Sequence, residues 1–216
     1  MTEPTTVAAT LATGAVLGWS VAWPPGPINA EIIRRGLTRG FWSAFVVGLG
    51  ASCADFFWAL AVALGAGALA DLRGVRPLLG AVSLSLLLFL AWRYLAGAWR
   101  GLAAHRRGEP VARPGALDST RAGYFLGFGL ALSSPWNLAF WLAVLGHHEG
   151  PAATLGGSLL LALAVVTAAT TWSLVLSTAV QLGARFATPL WDVGTRAATG
   201  LVLLAFAALL LRRLLG

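Results

Sequence analysis

The chain contains no lysine, a single cysteine and a single methionine, and charged residues fill only 11% of its 216 positions. Each shortage excludes a class of protein. One cysteine, Cys53, leaves no intramolecular disulfide, no CxxC redox pair and no thiolate metal cluster, and inside an apolar run it reads as a small packed residue. With so few charges beside 58% apolar residues and a mean hydropathy of +0.79, a soluble fold could not cover its own apolar surface. All fifteen basic residues are arginine, and they gather between apolar runs, so a formal charge of +7 reports orientation in a bilayer and no nucleic-acid partner is expected. Histidine is missing from every apolar stretch, and Ser134 has no candidate base, which disfavours catalysis. Gly48-Leu49-Gly50 lacks the strand-to-helix context of a nucleotide loop, so no cofactor is expected either.

What is abundant is apolar length. At about 20 residues per membrane crossing, six stretches emerge, near Val7 to Ile33, Phe41 to Ala70, Leu78 to Trp99, Ala122 to Gly146, Ala152 to Leu182 and Val193 to Leu211. The first has Glu3 and no arginine ahead of it, the reverse of a cleaved signal. The one long polar stretch, Arg100 to Arg121, divides three helices from three. The chain thus reads as a single all-α membrane transporter domain over 1–216, with repeat one at 1–99, a loop at 100–121 and repeat two at 122–216.

Two of the six stretches are interrupted in the same way. Pro25-Gly26-Pro27-Ile28-Asn29 breaks the first and Ser134-Pro135-Trp136-Asn137 the fourth, with the two asparagines 108 positions apart. A proline removes a backbone donor and displaces the carbonyl a turn earlier, which hydrocarbon cannot satisfy, so such breaks persist only against protein or a water-filled cavity. Three helices per half is an odd number, so the second half starts from the opposite face. The expected fold is therefore six transmembrane helices as two inverted three-helix repeats, first and fourth broken at prolines, a pattern that points to a solute site.

Arginine placement sets the expected orientation. Arg34, Arg35, Arg39, the central-loop arginines, Arg185 and Arg196 fall on one side, against Arg73, Arg76, Arg212 and Arg213 on the other. The positive-inside rule makes the richer side cytoplasmic and puts both termini outside.

Asp55 lies midway along the second stretch, where a charge costs about 2.5–3.5 kcal/mol on insertion scales and must face the protein interior. It is the leading candidate for holding a substrate amine or a coupling proton, with a structural role capping or pairing with the broken helix as its alternative. Glu31 is the second coupling candidate, with an i to i+4 ion pair to Arg35 near the cytoplasmic surface as its alternative. After each proline a new half-helix begins, and its open N–H groups and positive end suit a carboxylate. The substrate-binding candidates are accordingly Pro25, Gly26, Pro27, Asn29, Asp55, Pro135 and Asn137. Each asparagine either orients a zwitterion or simply satisfies carbonyls freed by its proline. Replacing Pro27 with Ala is expected to rejoin the first helix and withdraw the binding groups.

Other features are weaker. Thr167, Thr170, Thr171 and Ser173 form a mid-span polar cluster whose hydroxyls more often bond back to their own helix. His147-His148-Glu149 reads as a solvated turn, so no metal site is expected. Gly14/Gly18, Gly36/Gly40 and Gly123/Gly127 read as close helix packing. Arg93 and Arg100, interleaved with Trp92, Tyr94 and Trp99, read as an interfacial belt, with a grip on a substrate carboxylate as the alternative for Arg93.

Pro25-Gly26-Pro27-Ile28-Asn29-Ala30, followed by Arg34-Arg35-Gly36, Arg39-Gly40, Gly48-Leu49-Gly50-Ala51 and Asp55, resembles the LysE/RhtB amino-acid exporter family, and the likeness in helix count and spacing covers nearly the whole chain. Where that family usually carries Asn-Pro, this chain has Ser134-Pro135, with Asn137 two residues on. The resemblance implies two inverted three-helix repeats, export of amino acids or related small solutes driven by a proton or cation gradient, and no enzyme chemistry. It places the chain as a multi-pass protein of the bacterial cytoplasmic membrane, with the lipid bilayer and a small-molecule substrate as partners and room for a homodimer. A divalent-cation exporter using Asp55 and Glu31 as oxygen ligands is the alternative, although two acids and two amides make a thin cage.

Overall fold

The computed structural model describes residues 4–64, 75–107, 119–145, 154–184 and 190–215. Within them the elements are all helices: α1 (Pro4–Ala22), α2 (Pro27–Arg39), α3 (Phe41–Ala63), α4 (Val75–Arg106), α5 (Thr120–Ser133), α6 (Pro135–Leu145), α7 (Leu155–Ala184) and α8 (Leu190–Leu215). Four of these contain a stretch long and apolar enough to cross a bilayer, and counting each bent pair as one span gives six. The bent pairs are α1 with α2, at 75°, and α5 with α6, at 64°.

The bends follow from missing donors. Pro24 and Pro25 supply no N–H, so the ladder of α1 stops with Trp23 donating to the Trp19 carbonyl at 2.8 Å. Pro27 sits at the first position of α2, where its absent N–H would have had no partner in any case. The pair Pro24-Pro25 therefore stops α1, and Pro27 only starts α2, so a Pro27→Ala change cannot by itself make one continuous helix. In the second half a single proline suffices. Ser134 takes an extended conformation, its N–H turns to the Ala131 carbonyl at 3.3 Å, and α6 starts at Pro135.

Two boundaries differ from the sequence expectation. Arg34, Arg35 and Arg39 lie within α2 and not in a turn; the turn is Gly40 alone, whose φ of 85° only glycine adopts readily. The helix α4 continues beyond Trp99 to Arg106, because Leu102, Ala103 and Ala104 are strong helix formers. Arg100 and Arg106 are thus helical, as is Arg121 in the first turn of α5. Arg76 falls in the first turn of α4, whereas Arg73, Arg113, Arg185 and His147-His148-Glu149 lie outside the described residues.

Packing pairs elements across the two halves. The helix α3 runs along α5 and α1 along α7, while α3 meets α7 and α4 meets α8; α2 lies among α3, α7 and α8. Glycines permit the close approaches. A Cβ on Gly127 would strike the Val47 carbonyl, one on Gly50 the Tyr124 carbonyl, and those on Gly14 and Gly18 the Ala164 to Ala168 stretch of α7. Ile28, in the first turn of α2, packs into three core clusters at once, touching the Leu87 to Ala207 group, the Ile32 to Val47 group and Ala51, Ala54 and Ala131.

Candidate functional site

Both asparagines occupy the third position of a helix that begins with proline, yet they do different work. Asn29 turns back on its own break: its Nδ2 donates to the Ala22 carbonyl at 2.8 Å and the Pro24 carbonyl at 2.9 Å. These are acceptors left open where Pro24 and Pro25 interrupt the ladder. Asn137 reaches across the molecule instead, and its Nδ2 donates to Asp55 Oδ1 at 2.7 Å, tying α6 to α3. The break beside it is closed by other groups. Trp58 Nε1 donates to the Leu132 carbonyl at 3.1 Å, and the Asn137 N–H points at Ser134 Oγ at 3.4 Å.

Asp55 is partly buried one turn past Ala51, on the side of α3 that carries Ala51 and Ala54. A further neighbour is the indole of Trp141, which follows Asn137 by one helical turn and so shares its face of α6. Trp141 is fully buried against Ala59, and its Nε1 lies toward the Asp55 carboxyl without closing a well-aligned bond. The side chains so placed around Asp55, Asn137 and Trp141, are neutral donors.

The amino end of α2 faces the same region through Ile28, which packs on Ala51 and Ala54. Its N-cap is Gly26, in extended conformation, and no side chain caps the helix. The first N–H groups of α2 therefore form an uncapped positive end beside the turn of α3 that carries Asp55. Pro25 is exposed in the linker between α1 and α2, while Gly26 and Pro27 are partly buried.

The i to i+4 ion pair between Glu31 and Arg35 is present, and Arg34 joins it as a second partner. Arg34 binds Glu31 twice, Nε to Oε2 at 2.9 Å and Nη2 to Oε1 at 2.8 Å, and Arg35 Nε binds Oε1 at 2.6 Å. The three side chains sit at 1%, 0% and 0% exposure, so the cluster belongs to the interior. The Arg34 guanidinium lies 4.6 Å from the Tyr94 ring centre, and Arg35 Nη1 donates to the Ser119 carbonyl at 2.9 Å. Tyr94 is buried by this contact and is not a member of the exposed Trp92 and Trp99 belt.

The threonine cluster bonds to its own helix, Thr170 to the Val166 carbonyl and Thr171 to that of Thr167. Thr167 and Thr171 line an apolar groove of about 400 Å³ with Leu11, Ala15, Trp19 and Leu163, between α1 and α7 and apart from Asp55. Sequence reasoning missed Trp58, Tyr94, Trp141 and Ser119. The tryptophans carried a usable signal, because an indole N–H inside an apolar stretch needs an acceptor.

The chain is 31% identical over 132 residues to the Bacillus subtilis protein named "Putative amino acid efflux protein YcgF", a match over 61% of this chain and 59% of that one. It is 33% identical over 132 residues to the "Chemotactic transduction protein ChpE" of Pseudomonas aeruginosa, over 60% of each chain. The chain thus spans about 60% of the length of the curated relatives it matches. No solved structure matches it. The model of the LysE type translocator covers residues 19–214, and the chain belongs to that family.

Proposed function

We propose that this protein is a secondary exporter of amino acids or related small zwitterionic metabolites, coupled to the proton gradient and built as two inverted three-helix repeats in the bacterial cytoplasmic membrane with both termini outside. The observation that carries the reading is the juxtaposition of an acid, Asp55, held by neutral donors, with the uncapped amino end of α2. A zwitterion needs one group of each kind. Its ammonium takes Asp55 in exchange for the Asn137 bond, and its carboxylate takes the first N–H groups of α2. Asp55 then holds either a proton or the substrate ammonium, never both, and that mutual exclusion is the simplest basis for antiport. The pairing of α3 with α5 and of α1 with α7 supports the repeat architecture, because each half packs its second span against the other half's broken span.

The divalent-cation reading fares worse on the same observations. Among the described residues no three His, Cys, Asp or Glu side chains come together, and Glu31 is saturated by two arginines, so Asp55 would stand nearly alone as a hard ligand. A curated relative named for amino acid efflux supports the amino-acid reading.

The test is export from cells that lack their own exporters and are loaded with single amino acids by dipeptide feeding, with divalent-metal tolerance scored in the same strain. Faster efflux of at least one amino acid, lost in Asp55→Asn, is expected. Unchanged efflux across the whole panel with a gain in metal tolerance would reverse the choice.

A further inference from the structure

The Glu31, Arg34 and Arg35 cluster has a position as well as a composition. The space that Gly123 leaves by having no Cβ is filled by Arg35, whose Nη1 would lie 2.8 Å from such an atom, and Val46 would lie 3.4 Å from it. The cluster therefore stands level with Val46 on α3. Asp55 is nine residues further on, roughly 13 Å deeper at 1.5 Å per residue. Between the Gly40 end of the bundle and Asp55, the cluster spans from α2 to Tyr94 of α4 and to Ser119 at the head of α5.

Its bonds fall into two kinds. Glu31 and Arg34 form a bidentate pair stacked on Tyr94, with both polar partners buried. Parting them would strand buried charge at a cost of about 3–5 kcal/mol. Arg35 keeps its Nε on Glu31, but the bond from its Nη1 is different, because the acceptor is the backbone carbonyl of Ser119, an exposed residue that caps α5. Water can take over that carbonyl when the guanidinium leaves, so this bond opens at much lower cost. It also joins residues 84 positions apart, one in each half of the chain.

We propose that this cluster is the closed gate between the Gly40 face of the protein and the Asp55 site, with Glu31, Arg34 and Tyr94 as its fixed post and the Arg35 bond to Ser119 as its latch. The gate rests on the reading of Asp55 as the solute site. Releasing the latch lets α2 part from the head of α5 while Glu31 keeps Arg34, so the passage opens without stranding an unpaired acid. Glu31 on this account is a structural anchor and not a coupling group.

Because Cys53 is the lone cysteine, Cys53→Ser gives a thiol-free background, into which Ala51→Cys places a reporter one turn from Asp55 and against Ile28. A membrane-impermeant maleimide is applied to vesicles of either orientation, with no substrate present. In the parent the reporter reacts slowly from the Gly40 face. Arg35→Ala should raise that rate at least tenfold, and Gly123→Ala, which keeps every charge but crowds the guanidinium off Ser119, should raise it too. Arg35→Lys, which can still reach the carbonyl with one donor, should fall between. A reporter that already reacts fast from that face in the parent, or rates unmoved by both Arg35→Ala and Gly123→Ala, overturns the gate. So does an equal rise from both faces, which marks a bundle loosened throughout. No transport is measured, so failure of the export assay leaves a positive accessibility result standing.

Discussion

The two intramembrane acids should respond in opposite ways to the same chemical change, replacement by the isosteric amide. Glu31→Gln takes the charged partner that Arg34 and Arg35 share out of a buried cluster, and breaking a buried pair by removing one partner costs about 3–5 kcal/mol. That is a loss of roughly 100- to 4000-fold in the folded-to-unfolded ratio and a fall on the order of 10 °C in midpoint. Asp55→Asn converts one charge-assisted bond from Asn137 into a neutral one, a loss of about 1 kcal/mol. It also removes an intramembrane charge that costs about 2.5–3.5 kcal/mol, so the net effect is neutral or mildly stabilising. Midpoints are read by the recovery of monodisperse protein from size exclusion after heating in detergent. Efflux is read in inverted vesicles with and without an imposed pH gradient. Asp55→Asn should melt at or slightly above the parent and lose gradient-driven export, whereas Glu31→Gln should be recovered poorly at every temperature. A Glu31→Gln protein that melts with the parent, or an Asp55→Asn protein that keeps gradient-driven export, would refute the division of labour between the two acids.

Three further outcomes follow from the packing. Pro27→Ala should leave export within about twofold of the parent, because Pro24-Pro25 still end α1, while a Pro24→Ala, Pro25→Ala double variant should lose most of it; vesicle efflux rates separate the two. Gly127→Ala drives a Cβ into the Val47 carbonyl and should cost about 1–3 kcal/mol in midpoint assays, whereas Gly156→Ala, with open space around it, should be neutral. Trp141→Phe keeps the ring and removes the N–H, so a double-mutant cycle with Asp55→Ala should show a coupling above about 0.5 kcal/mol, and an additive cycle would make Trp141 packing alone.

Much of this arrangement was legible in the sequence, and the parts that were not have physical causes. Apolar length and proline position are local properties, so the all-helical character and the places of the two bends could be read directly from residues such as Pro25 and Pro135. Asp55 declared itself because a charge in the middle of an apolar run has few explanations. That Arg34 and Arg35 are buried was not legible, because their contacts with Tyr94 and Ser119 join residues far apart in the sequence. The pairing of Arg35 with Glu31, four residues earlier on the same helical face, could be read from spacing alone. The contrast between Asn29 and Asn137 could not be read at all. Both sit two residues after a proline, and which acceptor each finds depends on whether an acid stands across from it in space.

The Gly40 turn has a mechanical consequence. With a single residue between α2 and α3, nearly any swing of α2 relative to α3 must be absorbed by the torsions of that one glycine. The thirteen residues of α2 make an arm about 20 Å long, so a rotation of about 10° at the pivot carries Pro27 through about 3 Å. That is the reach of one hydrogen bond. A torsional change too small to disturb the fold is therefore amplified, at the far tip of the arm, into the difference between a bond made and a bond lost.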